Sequence, residues 1–327
     1  VSALAETIAM QGQVLRHVLD LDLDPAAARL EGAERVWLVG TGTSEHAACL
    51  GAAMLATAGF DARACSTGGF VAARREPGAA DALIVITHTT ETAFARRVRA
   101  DALAAGARLV SITGDGKGWP EAIEAAPAER SETYTASYLA ALLVLARLAV
   151  ALGGAEWGVD DLAALPGLAE GAGAEPVPVE APPRRLTVLF GAGPAAVTAR
   201  EGALKLREAS RVLAEGFETE YLLHGSAVPL AADDQLVALD PAGDPAGLTA
   251  ALAEAAEREG IPVARFAPPA DLHPLLAQLP LTVHLQGLAC RWADRREVDP
   301  DRVIEGAWAA RHLWTAGAPQ QALQPPA

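Results

Sequence analysis

Glu201, Lys205 and Glu208 stand four and three residues apart in the stretch "REGALKLREASRVLAEGFETEYLLHG" (200–225), and His224 follows near its end. On a helix, at about 100° per residue, the three charged side chains fall within about 60° of one another. Ala203 and Leu206 point away, toward a core. A carboxylate can remove a proton and return it, as exchange next to a carbonyl requires. A neighbouring ammonium can stabilise charge developing on oxygen, and a histidine titrates near neutrality. The same spacing also suits an exposed helix carrying an i,i+4 Glu–Lys pair, worth about a few tenths of a kcal/mol. Likewise His224 suits a structural role in a turn that Gly225 permits.

Two further stretches could hold an anion. "GTGTSEHA" (40–47) has Gly40 and Gly42 for a tight turn and Thr43 and Ser44 at the start of a helix. "THTTETAF" (87–94) sets Thr87, His88, Thr89, Thr90 and Thr92 around the start of another. Free N–H groups and the positive end of the helix dipole suit a phosphate there. Plain N-capping uses the same residue types; two such loops in one half of the chain shift the balance toward anion binding. "GAGPAA" (191–196) fits a dinucleotide fingerprint, a weak signal alone, and no acid follows to hold a ribose. No Walker lysine follows either loop.

These segments need strands to carry them, and the strands recur. "RVWLVGTG" (35–42) matches "LTVLFGAG" (186–193), "ALIVITHT" (82–89) matches "QLVALDPA" (235–242), and "GARLVSITGD" (106–115) matches "GIPVARFAPP" (260–269). The offsets are 151, 153 and 154 residues. Short, nearly all-apolar strands alternating with helices imply parallel sheets covered on both faces. The expected fold is α/β, with two tandem doubly wound parallel-sheet domains and helices on both faces of each. The boundaries read as an N-terminal helical segment at 1–32, a first domain at 33–160, a linker at 161–184, a second domain at 185–315 and a tail at 316–327. The linker is expected from the Pro-, Gly- and acid-rich run at 165–185, which reads as extended.

The 327 residues carry a formal net charge of −15 and are 51% hydrophobic. That length suits about two domains. The acidity argues against nucleic acid, which calls for a basic stripe, and against an anionic membrane surface. Cys49, Cys65 and Cys290 lie far apart with no CxxC pair, as suits small apolar residues in a reducing compartment. No signal-peptide pattern opens the sequence. The run at 138–154 is interrupted by Arg147 and reads as a buried helix rather than a membrane span. The expectation is a cytoplasmic protein with no metal and no cofactor.

The run "EGALKLREASRVLAEGFETEYLLHG", with "GTS" at 42–44 and "THTTET" at 87–92, resembles the sugar isomerase (SIS) family, over roughly residues 1–315. The resemblance implies an aldose–ketose isomerase acting through an enediol on a phosphorylated sugar or amino sugar. Gly42, Thr43, Ser44, Thr87, His88, Thr89 and Thr92 would bind the substrate, with Ser44 and the 87–92 residues around its phosphate. Glu208 would move the proton between C1 and C2, Lys205 would assist at the sugar oxygens, and His224, donated by the second protomer of a homodimer, would open the ring. The family's usual glycine is replaced by Thr90, its glutamine by His88, and its acid before the histidine by Tyr221, with Glu220 beside it. The resemblance covers no glutaminase domain within these residues, so none is expected to supply ammonia from them. The alternatives are a deaminase of the same fold, acting on an amino- or glycated-sugar phosphate, and a non-catalytic sugar-phosphate sensor, which would need only the phosphate loops.

Overall fold

In the computed structural model, which describes residues 1–179, 181–240, 243–269 and 271–319, the first twenty residues fold as helix α1 (Ala3–Asp20). The short α2 (Asp24–Leu30) follows, with a proline in its first turn. Proline is preset for that position, where its missing N–H costs no bond. The first sheet and its helices then run β1 (Arg35–Gly40), α3 (Thr43–Thr57), β2 (Ala62–Ser66), α4 (Thr67–Ala72), β3 (Asp81–Ile86), α5 (Ala93–Ala104), β4 (Arg108–Gly114), β5 (Ala122–Ala126) and α6 (Ala136–Ala151). Its strands are parallel, in the order β2-β1-β3-β4-β5. The chain leaves β1 toward one edge and returns as β3 on the other side. The loops after β1 and β3 therefore flank the switch point where open α/β sheets collect ligands.

The second series runs α7 (Val159–Ala174), β6 (Thr187–Gly191), α8 (Pro194–Ser210), β7 (Ala214–Glu218), α9 (Thr219–Tyr221), β8 (Gln235–Leu239), α10 (Leu248–Arg258), β9 (Val263–Phe266), α11 (Gln278–Arg296) and α12 (Arg311–Thr315). These strands are again parallel, in the order β7-β6-β8-β9. The chain divides into two compact units. One holds the first sheet with residues 13–129 and 136–163 and the chain from Ile304 on; the other holds the second sheet with residues 1–12, 130–135 and 164–303.

The central strands of each sheet bury both faces because they are apolar at successive positions. In the first unit Trp37, Val39, Leu83 and Val85 pack with Val98 and Ala102 of α5. On α3, a side chain at Gly51 would strike Leu145 of α6 and Leu38 of β1. The run at 138–154 lies in the buried α6 as far as Ala151, and its Arg147 donates to the Val18 carbonyl at 2.5 Å. In the second unit Leu189, Val237, Ala203, Leu206, Leu285 and Trp292 form one core cluster, and Val188, Phe190, Leu236 and Ala253 another. Each large apolar side chain so buried contributes roughly 1.5–3 kcal/mol.

The expected extended linker is corrected over its first part. Residues up to Ala174 continue α7, with Pro166 inside the helix. Leu162, Leu165, Ala169 and Ala172 recur at helical spacing and are buried. That apolar stripe outweighs the local Pro and Gly content. The expected tail lies outside the described residues from 320 on. Among the described residues no helix is long and apolar enough to cross a membrane, and no cluster of His, Cys, Asp and Glu could hold a metal ion.

Candidate active site

The three charged residues of α8 come together as their spacing indicates, but inside the protein. Lys205 Nζ lies 2.5 Å from Glu208 Oε2 and 3.5 Å from Glu201 Oε1, and donates to the Tyr134 carbonyl at 3.0 Å. The side chains of Glu201 and Lys205 are 0% and 1% exposed, and that of Glu208 is 20% exposed. An exposed i,i+4 pair is therefore excluded. Burying these charges costs several kcal/mol per ion before the pairing offsets it, so the arrangement is a poor device for stability alone. Clustered, desolvated ionisable groups of this kind mark functional sites.

Local features fix α8 in place. It starts at Gly193, with a proline in its first turn. At Gly202 a side chain would strike Leu285 of α11 and Leu189 of β6, so the helix sits close against both. Arg211 closes the helix in a left-handed conformation, φ 55°, and its guanidinium donates to the Glu208 carbonyl at 2.7 Å. Sequence reasoning missed Tyr134 as the partner of Lys205. A second signal was present in the sequence, where only Lys117 and Lys205 are lysines among 26 basic residues. A compact ammonium fits among two carboxylates and a carbonyl where a planar guanidinium does not.

His224 is placed apart from this cluster. It lies in the irregular turn Leu222–Ser226, where Gly225 takes φ 107°. Its side chain is 71% exposed, and Nε2 faces the Glu220 carboxylate at 3.8 Å. Glu220 thus supplies the acid beside the histidine. Tyr221 instead stacks on Phe217, with ring centroids 5.8 Å apart.

The two hydroxyl-rich loops lie in the other unit, at the carboxyl ends of β1 and β3. A side chain at Gly40 would run into the Ser44 carbonyl, and Gly42 takes φ 59° as the cap of α3. Neither α3 nor α5 receives a side-chain cap hydrogen bond, although Thr92 stands at the cap of α5. Within the second loop Thr89 Oγ1 accepts from Glu91 N at 3.2 Å. Thr87 is buried, while Ser44, Thr89 and Thr92 are partly exposed. Thr41 and Thr67 share a hydrogen bond at 2.6 Å behind the first loop. Thr90 occupies φ 61°, the left-handed region that favours glycine. His88 is half-buried and its carbonyl accepts from Gly114 N at 3.0 Å. Burial holds its imidazole below the ordinary histidine range; Glu129 and Asp115 oppose that shift and Lys117 adds to it.

The architecture has solved counterparts. The C-terminal domain of glucosamine-fructose-6-phosphate aminotransferase from Francisella tularensis superposes with a TM-score of 0.75 at 17% identity, covering 92% of this chain and 98% of that one. Glucosamine-6-phosphate deaminase from Thermotoga maritima gives 0.74 at 18%, covering 94% and 99%. Tagatose-6-phosphate ketose/aldose isomerase from Escherichia coli gives 0.75 at 17%, covering 94% and 97%. No family model matches the sequence, and no curated protein is similar to it. At these identities the likeness establishes the fold, which is the one that resemblance to the sugar isomerase family implies.

Proposed function

We propose that the protein belongs to the sugar isomerase family and interconverts an aldose phosphate and a ketose phosphate. The observation that carries this reading is the buried Glu201–Lys205–Glu208 trio, with Glu208 as its partly exposed member. Ser44, Thr87, His88, Thr89 and Thr92 hold the phosphate, through hydroxyls and the N–H groups of two helix starts. Glu208 takes the proton from the carbon beside the carbonyl and delivers it to the neighbouring carbon. The electron pair released from the C–H bond forms the C=C bond as the carbonyl π pair moves onto its oxygen. The proton of the neighbouring hydroxyl passes to that oxygen, and collapse of the resulting enediolate, with the carbon proton returned, moves the carbonyl by one carbon. His224, supplied by the second protomer of a homodimer, opens the sugar ring. The two units are tandem domains descended from one, a reading supported by their shared strand order and repeat spacing. Cys49, Cys65 and Cys290 form no disulfide, in keeping with a cytoplasmic setting.

A sensor needs only the phosphate loops, so the desolvated trio favours an enzyme. Solvent deuterium wash-in tests the proposal on fructose 6-phosphate, tagatose 6-phosphate and glucosamine 6-phosphate, with ammonia release measured alongside. Exchange with ketose–aldose conversion supports it, whereas exchange with stoichiometric ammonia makes the protein a deaminase. Binding without exchange on any of the three would leave a sensor.

A further inference from the structure

We infer that Lys205 serves the reaction through Glu208, without touching the sugar, and that residues 130–135 form a strap which holds it there. The chemical half of this inference rests on the proposed function; the geometric half does not. The ammonium donates to Glu208 Oε2 at 2.5 Å and to the Tyr134 carbonyl at 3.0 Å, and pairs with Glu201 Oε1 at 3.5 Å. With its side chain 1% exposed, Lys205 offers nothing to a ligand, whereas Glu208 reaches the surface. Lys205 is thus a positioning residue for the carboxylate that moves the proton.

Tyr134 is held by its neighbours. Thr133 Oγ1 and Ser131 Oγ donate to the Pro300 carbonyl at 2.8 and 3.4 Å. Glu132 N donates to the Asp301 carbonyl at 2.9 Å, and Val303 N donates to Glu132 Oε2 at 2.7 Å. Residues 300–303 are bound in turn by Arg211, which donates to the carbonyls of Arg302, Val303 and Glu208. The connections form a closed ring, from Glu208 through Lys205, Tyr134, the strap, residues 300–303 and Arg211 back to Glu208. A break anywhere in it loosens the contact between Lys205 and Glu208. Glu132 is the exposed link and the mildest place to cut.

The chain's two lysines make the test direct. Reductive methylation with carbon-13 formaldehyde labels only Lys117, Lys205 and the terminal amine, each resolved by NMR. In the native protein Lys205 should react at least about tenfold more slowly than Lys117, since only local opening exposes it. Glu132→Ala, and separately Thr133→Val, should speed Lys205 labelling by about fivefold or more at a nearly unchanged melting temperature. Lys205 labelling as fast as Lys117 in the native protein, or unmoved by both substitutions, overturns the strap whatever the substrate. On whichever of the three sugar phosphates exchanges deuterium, Glu132→Ala should lower kcat about tenfold, leave KM within about twofold and move the acid limb of kcat to higher pH. A raised KM at constant kcat would instead place Lys205 against the substrate. No exchange on any sugar phosphate, with Lys205 protected and released as described, would sink the isomerase reading and the role through Glu208 but leave the strap standing.

Discussion

Gly42 and Gly193, one repeat apart, share a backbone conformation, with φ 59° and ψ −125° at the first and φ 54° and ψ −124° at the second. Both cap the helix after the first strand of their sheet. Around Gly42 stand Thr41, Thr43 and Ser44; around Gly193 stand Ala192, Pro194 and Ala195. The second loop repeats the turn without the hydroxyls. In the second sheet the loop after β8 also carries acid, and Asp244 is committed to Thr249, accepting from its N at 2.7 Å and its Oγ1 at 2.9 Å. One anion per chain is therefore expected in calorimetric titration with a sugar phosphate, and Ser44→Ala should weaken it about tenfold. Two equivalent sites per chain would refute this assignment.

Glu208→Gln keeps the shape of the side chain and removes the base. Deuterium wash-in should fall by at least about a hundredfold, with substrate affinity changed only a few-fold. Undiminished wash-in would remove Glu208 from the chemistry.

Thr90 is a β-branched residue at φ 61°. Glycine tolerates that conformation without the clash of Cβ with the backbone. Thr90→Gly should raise unfolding stability by up to about 1 kcal/mol, net of the entropy that glycine brings to the unfolded chain. A denaturant midpoint that falls would show that the threonine is held by something the backbone angle does not reveal.

Burial lowers the titration range of His88 in the folded state, so the unfolded chain binds its proton first as pH falls. The stability that follows is present above the unfolded value of about 6.5 and is lost as pH drops from there through the lower folded value. His284 is shifted the same way by burial, opposed by Glu175, and contributes in the same window. His88→Gln should flatten the decline in melting temperature below about pH 6.5 without abolishing it. An unchanged decline would show that His88 carries none of it.

If His224 completes the site of the other protomer, two inactive chains should rescue each other. Mixed dimers of Glu208→Gln and His224→Ala hold one site with both lesions and one with neither. Random pairing should restore up to about a quarter of native activity. Verified mixed dimers without activity would return His224 to its own chain or to a structural role.

Much of the fold was legible because central strands bury both faces. "RVWLVG", "ALIVI" and "TVLFG" are apolar throughout, and each is a strand. The strands β2, β5 and β7 escaped notice, and all three are sheet edges. Segments such as "ARACS" and "AEGFE" show no unbroken apolar run because half their surface stays wet. The charged face of α8 was legible from helical spacing, but its burial was not. Periodicity says which residues share a face; whether Tyr134 then lies against it depends on a contact 71 residues away. His224 was legible as a residue and not as a position, since the irregular turn around Gly225 sets where the imidazole points.

The carboxylate of Asp301 accepts from Ala3 N and Leu4 N, each at 2.7 Å, and so caps the first turn of the first helix. During synthesis this joins two stretches made 298 residues apart. A chain still growing on the ribosome can complete the first sheet once β5 has emerged, because every strand it needs is already present. The start of α1 must wait for 175 more residues, from Ala126 to Asp301, before its N–H groups meet their acceptor. Domains fold broadly in the order they are made, and here the N-terminal dozen residues belong to the unit that is finished second. Residues 1–12 thus form a late-folding element, and a nascent chain halted before residue 300 would lack the acceptor for Ala3 N and Leu4 N.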